Sequence, residues 1–281
     1  MDKRLTMDSR NIRFILILGI VCMTGITVLM MFTRLNEPRP TVKIIDEQFD
    51  ALPVQPQIPL VIAELNEINS QVSGFDGSDV SVKIWENGMR FKISGSMSYE
   101  KPNNFRMKVW SIMGQEMDIG SNESLFWYWS RRDRYPGLYY AAYGDYHKTR
   151  LKTPFNPVFM RESLGLNEID ATNAKIVENE KHVMVSWQKT NASNEKILYS
   201  VLVNRLSKRI DGIVISDLSS KVIASCEIEY QGILPKKILY DWKEEQKSLV
   251  IEFSNPTINK KFSSSNWDLP RYSPKIDMGK E

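Results

Sequence analysis

Cysteine and histidine are nearly missing from this chain of 281 residues. The two cysteines are Cys22 and Cys226, and Cys22 lies inside a long apolar run, so no disulfide can staple the polar remainder. Stability there must come from a buried core. About 240 residues suffice for one, burying roughly 70% of the unfolded surface. Histidine is limited to His147 and His182, neither at metal-ligand spacing to another histidine or cysteine. That removes most histidine-based catalysis and metal chemistry, because imidazole is the usual base and ligand near neutral pH. No Walker loop, dinucleotide fingerprint, G-x-S-x-G elbow or zinc signature occurs. An excess of charge is also absent from most of the chain. Residues 1–40 hold six basic and three acidic residues, the whole formal net charge of +3. Residues 41–281 are therefore neutral and lack the basic footprint of a nucleic-acid binder. These absences predict a binding protein rather than an enzyme, with no cofactor, no metal and no nucleic-acid partner.

What is present begins with Phe14–Phe32, nineteen consecutive residues without a charge. A helix needs about 20 such residues to cross the hydrocarbon core. A secretory signal has an apolar region of only about 7–15 residues followed by a small-x-small site, whereas this run leaves through Leu29-Met30-Met31-Phe32-Thr33-Arg34. A cleaved signal, giving a secreted form, stays as the rival. Lipidation at Cys22 is a second rival, disfavoured by the Gly19-Ile20-Val21 that precedes it. Lys3, Arg4, Arg10 and Arg13 before the run favour a cytoplasmic N-terminus. The expectation is a single-pass protein of the inner membrane: a cytoplasmic tail (1–13), an anchor (14–32), and a main domain facing the periplasm or exterior.

Residues 33–59 carry Pro38, Pro40, Pro53, Pro56 and Pro59 and read as an extended linker. Leu60, Ile62, Leu65, Ile68 and Val72 then recur at helical spacing, predicting one amphipathic helix over Leu60–Val72. After Gly74 the period becomes two. Met89, Phe91, Ile93 and Met97 alternate with polar residues, as do Phe105, Met107 and Val109. Further strands are predicted at 116–120, 125–129, 138–143, 174–178, 182–188, 198–206, 212–217, 221–230, 237–242 and 248–253, with Asn87-Gly88 and Asp211-Gly212 as hairpin turns. Many short strands argue for one antiparallel sheet, strongly curved or closed into a barrel. One short helix, Val158–Leu164, interrupts the series, and the last residues (256–281) read as a wrapping tail.

Leu125-Phe126-Trp127-Tyr128-Trp129 is the densest aromatic cluster. On a strand, Phe126 and Tyr128 point opposite to Leu125, Trp127 and Trp129, so both faces need cover or a ligand. Met89, Met97, Met107, Met113 and Met117 fall close together. Methionine suits an apolar surface that accepts variable shapes. A filled core and an apolar cavity fit these residues equally. Glu116 and Asp118 could mimic a carboxylate pair, but a solvated face is the simpler reading, as is a solvated loop for Arg131-Arg132-Asp133-Arg134.

Gly95-Ser96-Met97, then Lys101-Pro102-Asn103-Asn104-Phe105, then Ser121-Asn122-Glu123-Ser124 before Leu125–Trp129 follow an order seen elsewhere. The stretch resembles the bacterial outer-membrane lipoprotein carrier and receptor proteins, the LolA/LolB localisation factors. Thr153-Pro154-Phe155 is similar to the start of that family's cavity-facing helix, and the resemblance covers about residues 60–255. It implies a mainly β fold, an incomplete, half-open antiparallel β-barrel with a helical lid, whose cavity receives lipoprotein acyl chains. The expected cavity lining is Met89, Phe91, Ile93, Met97, Phe105, Met107, Val109, Met117, Trp127 and Trp129. The expected lid residues are Lys101, Phe155, Phe159 and Met160. Lys101 stands where the carrier has a latching arginine, and lysine lacks the planar fork of arginine. The apolar run and the greater length depart from the family pattern.

Each acyl CH₂ moved into water costs about 0.8 kcal/mol, so a chain of about 15 carbons costs roughly 12. A water-excluding half-barrel would meet that need without catalysis. The expected function is binding of lipid or lipoprotein acyl chains for lipoprotein transport or localisation, with envelope proteins as possible partners. A peptide-sensing or assembly module on the same fold is the alternative. On this reading a charge at Phe105 or Met107 abolishes uptake without unfolding the domain.

Overall fold

Period-two patterning becomes one long sheet. The computed structural model describes residues 38–280 except 48, 50–57, 87, 133, 134, 136, 150–155 and 192–194, and of 58, 147 and 148 the backbone alone. The strands are β1 (Gly74–Glu86), β2 (Met89–Glu100), β3 (Asn104–Ser111), β4 (Gly114–Ser121), β5 (Leu125–Ser130), β6 (Leu138–Ala142), β7 (Lys175–Glu178) and β8 (His182–Thr190). After them come β9 (Lys196–Asn204), β10 (Ile210–Asp217), β11 (Val222–Gln231), β12 (Leu234–Trp242), β13 (Lys247–Phe253), β14 (Thr257–Ile258) and β15 (Lys275–Asp277). Their order is β15-β6-β5-β4-β3-β2-β1-β13-β12-β11-β10-β9-β8-β7, with β14 beside the start of β1. Neighbours are antiparallel except β15 and β6. The end strands β15 and β7 do not pair, so the sheet is unclosed. Helix α1 (Ile58–Ser70) precedes the sheet and helix α2 (Pro157–Glu162) interrupts it. Asn156 caps α2, accepting from the Val158 and Phe159 amides, and Pro157 takes the first turn, where no N–H is missed.

The sheet curls around both helices. Arg161 of α2 donates to Asn103 Oδ1, just before β3, at 2.8 Å, while Ser163 bonds the Tyr240 hydroxyl on β12. These strands are four steps apart, about 19 Å on a flat sheet. One short helix reaches both only because the surface is concave.

Register sorts the side chains. Met97↔Met107↔Ile119 and Tyr99↔Phe105 lie on the concave face, and so do Ile251↔Ile238 and Val201↔Val185. All belong to one apolar cluster with Val61, Ile62 and Leu65 of α1 and Phe159 and Met160 of α2. The convex face carries Trp85, Leu202, Leu239 and Val250, covered by Val42 and Ile44. Part of the expected linker is therefore a strap across the sheet. Arg39 extends it, pairing with buried Asp241.

Beyond the strap, the C-terminal segment covers the convex side of β2–β5. Tyr272 stacks on Trp129 with ring centroids 4.0 Å apart, and Trp267 Nε1 donates to Glu100 at 2.9 Å. Beneath it Arg106 holds fully buried Asp118 through Nε and Nη2 at 3.1 and 2.8 Å.

Two expectations change. Asp211-Gly212 is not a turn but part of β10, at a register shift between Ile210 and Gly212. A Cβ on Gly212 would lie 2.6 Å from the Cys226 carbonyl oxygen, which explains glycine there without a hairpin. The placement as a single-pass inner-membrane protein is also corrected. Among the described residues no helix is long and apolar enough to cross a membrane. The longest, α1, has 13 residues, about 20 Å at 1.5 Å each against a hydrocarbon core of about 30 Å. The run Phe14–Phe32 and the tail before it lie outside the described residues.

His182 fastens the strap. It has no exposed surface, and its ring nitrogens stand 2.6 Å from Glu47 Oε2 and 2.9 Å from Asp211 Oδ2. Burial opposes its charge, but the bonds to Asp211 and Glu47 outweigh that and raise its pKa above 6.5. Burial likewise opposes charge on Glu47, yet Asn179 and His182 hold its carboxyl below 4.5. A raised histidine value adds stability below pH 6.5 that fades as pH rises through the folded-state value. The lowered Glu47 value adds stability above pH 4.5 that is lost on acidification. Urea unfolding of His182→Gln should show a deficit of about 1.5–3 kcal/mol near pH 5.5 that narrows by about pH 8. An equal deficit at both values would mean that folding leaves the His182 pKa unshifted, and a deficit that widens with pH would mean that His182 is neutral in the fold.

Candidate functional site

The concave face and its helical roof form the largest apolar cluster among the described residues. Met97, Phe105, Met107 and Val109 have no exposed surface, and Met117 is nearly as buried. A void wide enough for a hydrocarbon chain would leave its lining accessible, so this stretch is filled by the protein's own side chains. Phe159 meets Tyr240 edge-on at 5.8 Å, and Met160, Leu164 and Leu166 complete the filling. The tyrosine hydroxyls and the thiol here stay neutral. Burial raises the Tyr99 and Tyr240 pKa values and pushes the Cys226 thiol up to about 12.

Exposure grows toward the β1–β2 hairpin. Phe91 and Ile93 on β2, Ile84 on β1, Ile215 on β10 and Trp187 on β8 are only half-buried. Register places them along one rim of the concave face. Met89, also half-buried, continues the β2 row. This rim is where a guest chain would first meet apolar surface.

Polar side chains, rather than backbone ladders, tie the roof down. Asn66 donates to the Ile169 carbonyl at 2.9 Å and accepts the Ile169 amide at 2.8 Å. Asn69, wholly buried, donates to the carbonyls of Gly165 and Asn167 at 3.1 and 2.7 Å. Tyr99 reaches Asn167 Oδ1 at 2.6 Å. Lys101 Nζ donates to the Asn69 carbonyl at 2.8 Å and pairs with Glu168 at 3.2 Å. Lys101 thus joins the β2–β3 turn to the end of α1 as a single-point contact, without an arginine's fork. Asn66 and Asn69 were not singled out from sequence. Their three-residue spacing puts both on one helix face beside the Ile62–Leu65 stripe, a usable signal.

Eight of the expected lining residues, Met89, Phe91, Ile93, Met97, Phe105, Met107, Val109 and Met117, share the concave face. Trp127 and Trp129 are corrected to the convex face, where register sets them opposite Gly120 and Asp118. A Cβ on Gly120 would lie 2.3 Å from Trp127 Cζ2, so glycine leaves room for the ring. Trp127 donates to Asp118 at 3.3 Å. The inward aromatics of that strand are Phe126 and Tyr128. Phe159 and Met160 lie in the roof, and Phe155 is outside the described residues. A charge at Phe105 or Met107 would meet no water, so the expectation that such variants keep their fold is withdrawn.

Glu116 and Asp118 are taken up by arginines: Arg132 Nε lies 2.8 Å from Glu116 and Arg106 holds Asp118. The Arg132 bond holds the Glu116 carboxyl below the usual carboxylate range despite burial. Among the described residues no group of three or more potential ligands gathers as for a metal ion.

No protein-family model and no curated protein matches the chain. Solved structures do. A DUF1329 family protein from Desulfovibrio piger aligns with a TM-score of 0.51 at 8% identity, over 74% of this chain and 94% of that one. A LolA superfamily protein from Nitrosomonas europaea gives 0.49 at 10% identity, over 77% and 98%. A putative outer membrane lipoprotein-sorting protein domain from Vibrio parahaemolyticus gives 0.45 at 7%, over 74% and 95%. At such identities the likeness is one of fold, an unclosed sheet with helices on its concave side, and it rests on the Desulfovibrio match.

The clasp yields a test. Asn66→Ala removes both bonds to Ile169 and should lower stability by about 1–3 kcal/mol. Hydrogen exchange should quicken in residues 58–70 while β8–β12 stay protected. Unchanged exchange in α1 would show that the roof is held by apolar packing alone.

Proposed function

We propose that the concave face binds the hydrocarbon of lipids or of lipoprotein acyl chains, in the service of lipoprotein transport or localisation. One observation carries this reading: an unbroken apolar surface continues from the half-buried rim at Phe91, Ile84 and Ile215 to the filled interior beneath a roof tied by polar side chains. The order of motifs from Gly95 to Trp129 supports it independently. An acyl chain entering at the rim would replace Phe159, Met160 and α1 as the cover of Met97, Phe105 and Met107. Apolar contact is exchanged for apolar contact, and only the clasp has to give. The reaction is transfer of a guest between environments, so no catalytic residue is invoked.

The test uses variants at the rim, where a charge can reach water. Purified protein titrated with cis-parinaric acid should show saturable fluorescence. Phe91→Asp and Ile215→Asp should each weaken uptake about tenfold or more, since each removes one buried apolar contact and adds a desolvation penalty. Their thermal midpoints should stay within a few degrees of wild type. Unaltered uptake in both stable variants would remove the concave face as the binding surface, and absence of uptake by wild type would favour the assembly-module reading.

A further inference from the structure

A groove of about 940 Å³ lies beside the C-terminal end of α1, where β10 begins and β11 ends. Arg209 lines it, yet only 5% of that residue is exposed. Its guanidinium meets two neutral groups: Asn69 Oδ1 at 3.3 Å, and the Tyr230 ring at 5.8 Å to the centroid. No ion pair to Arg209 exists among the described residues. The four carboxylates lining the groove are already engaged. Glu47 and Asp211 flank His182, Glu227 accepts the Lys43 backbone amide at 3.2 Å, and Glu229 pairs with Lys237. A guanidinium has five N–H donors and does not lose its proton in proteins. A cation so buried normally has a charged partner, because desolvating it alone is strongly unfavourable. Burial indeed lowers the Arg209 pKa, with only Tyr230 opposing.

We propose that this groove is an oxyanion site in which Arg209 receives a phosphate or carboxylate group, with Lys43 and Lys181 at its margin and Ile44, Ile68 and Ile228 packing the adjoining carbon skeleton. Forked donation to two oxygens is the geometry at which arginine excels. The oxyanion comes either free in solution or as a lipid headgroup. The site lies apart from the Phe91–Ile215 rim and stands whether or not an acyl chain binds there. Asn69 is shared between Arg209 and the clasp, so an anion drawing the guanidinium away removes one tie on the roof.

Calorimetric titrations of the full chain with inorganic phosphate and with dodecyl phosphate test this. Binding of both, weakened about tenfold or more by Arg209→Gln, is the expected result for an oxyanion site open to free anions. Binding of dodecyl phosphate alone, with the same sensitivity to Arg209→Gln, assigns the site to headgroups. Ile68→Glu leaves Arg209 in place but supplies a competing carboxylate from the half-exposed groove wall, and it should abolish binding even if Arg209→Gln proves unstable. The proposal is overturned if neither probe binds at about 10 mM, or if stable Arg209→Gln or Ile68→Glu binds like wild type. It is also overturned if dodecyl phosphate binding is lost in Phe91→Asp but not in Arg209→Gln, which would place the probe on the acyl face.

Discussion

A strand presents its side chains to two faces in strict alternation, and in this chain both faces have to be covered. Shifting β3 by one residue would exchange Phe105, Met107 and Val109 for Arg106 and Lys108 and turn the whole apolar set outward. The pairing of Met97, Met107 and Ile119 across three strands holds that register. Everything else follows from it. The concave side needs helices, and the convex side needs the Val42–Ile44 strap at one end and the Trp267–Tyr272 segment at the other.

These coverings are attached differently from the strands. Strands are positioned by backbone ladders, whereas each cover rests on apolar contact that fixes no orientation. Polar side chains supply it. Asn66 and Asn69 hold α1, His182 and Asp241 hold the strap, and Asp118 with Arg106 anchors the C-terminal segment. Three of the buried ionisable groups, His182, Asp241 and Asp118, therefore sit where a cover meets the sheet. A buried pair adds little net stability compared with an apolar replacement, but losing one partner is strongly destabilising. Such contacts set where a cover docks more than how firmly.

Alternation made the strands from Met89 onward legible, because β-branched and aromatic residues repeat there at period two. β1 carries a weaker signal. Its first half, Gly74-Phe75-Asp76-Gly77-Ser78-Asp79, is turn-forming in all but Phe75, and the structure shows a register shift between Gly77 and Val80. Asp211-Gly212 misled for the reverse reason, since close approach to the Cys226 carbonyl demands glycine inside a strand. For Leu125–Trp129 the alternation was readable but not its sign. Both faces of that strand are aromatic, and only pairing with Gly120 and Asp118 shows that the tryptophans face outward. Arg209 has no local signature and the asparagine clasp only its helical spacing, because their partners lie about a hundred residues or more away in the chain.

The filled interior and a role in carrying hydrocarbon are compatible on magnitudes. Stripping the roof from the concave face would expose side chains worth about 1.5–3 kcal/mol each, among them Val61, Ile62, Leu65, Phe159 and Met160. An acyl chain of about 15 carbons brings roughly 12 kcal/mol of its own aversion to water. On the proposed reading it would also re-cover the sheet surface that the roof leaves. What it cannot replace is the clasp, whose hydrogen bonds contribute about 1 kcal/mol net apiece. Self-filling and guest-filling then differ by little, which is the condition for a vessel that both takes up and gives up its contents. An interior with a permanent void would forgo packing when empty, and one with an apolar seal alone would have no contact through which release could be directed.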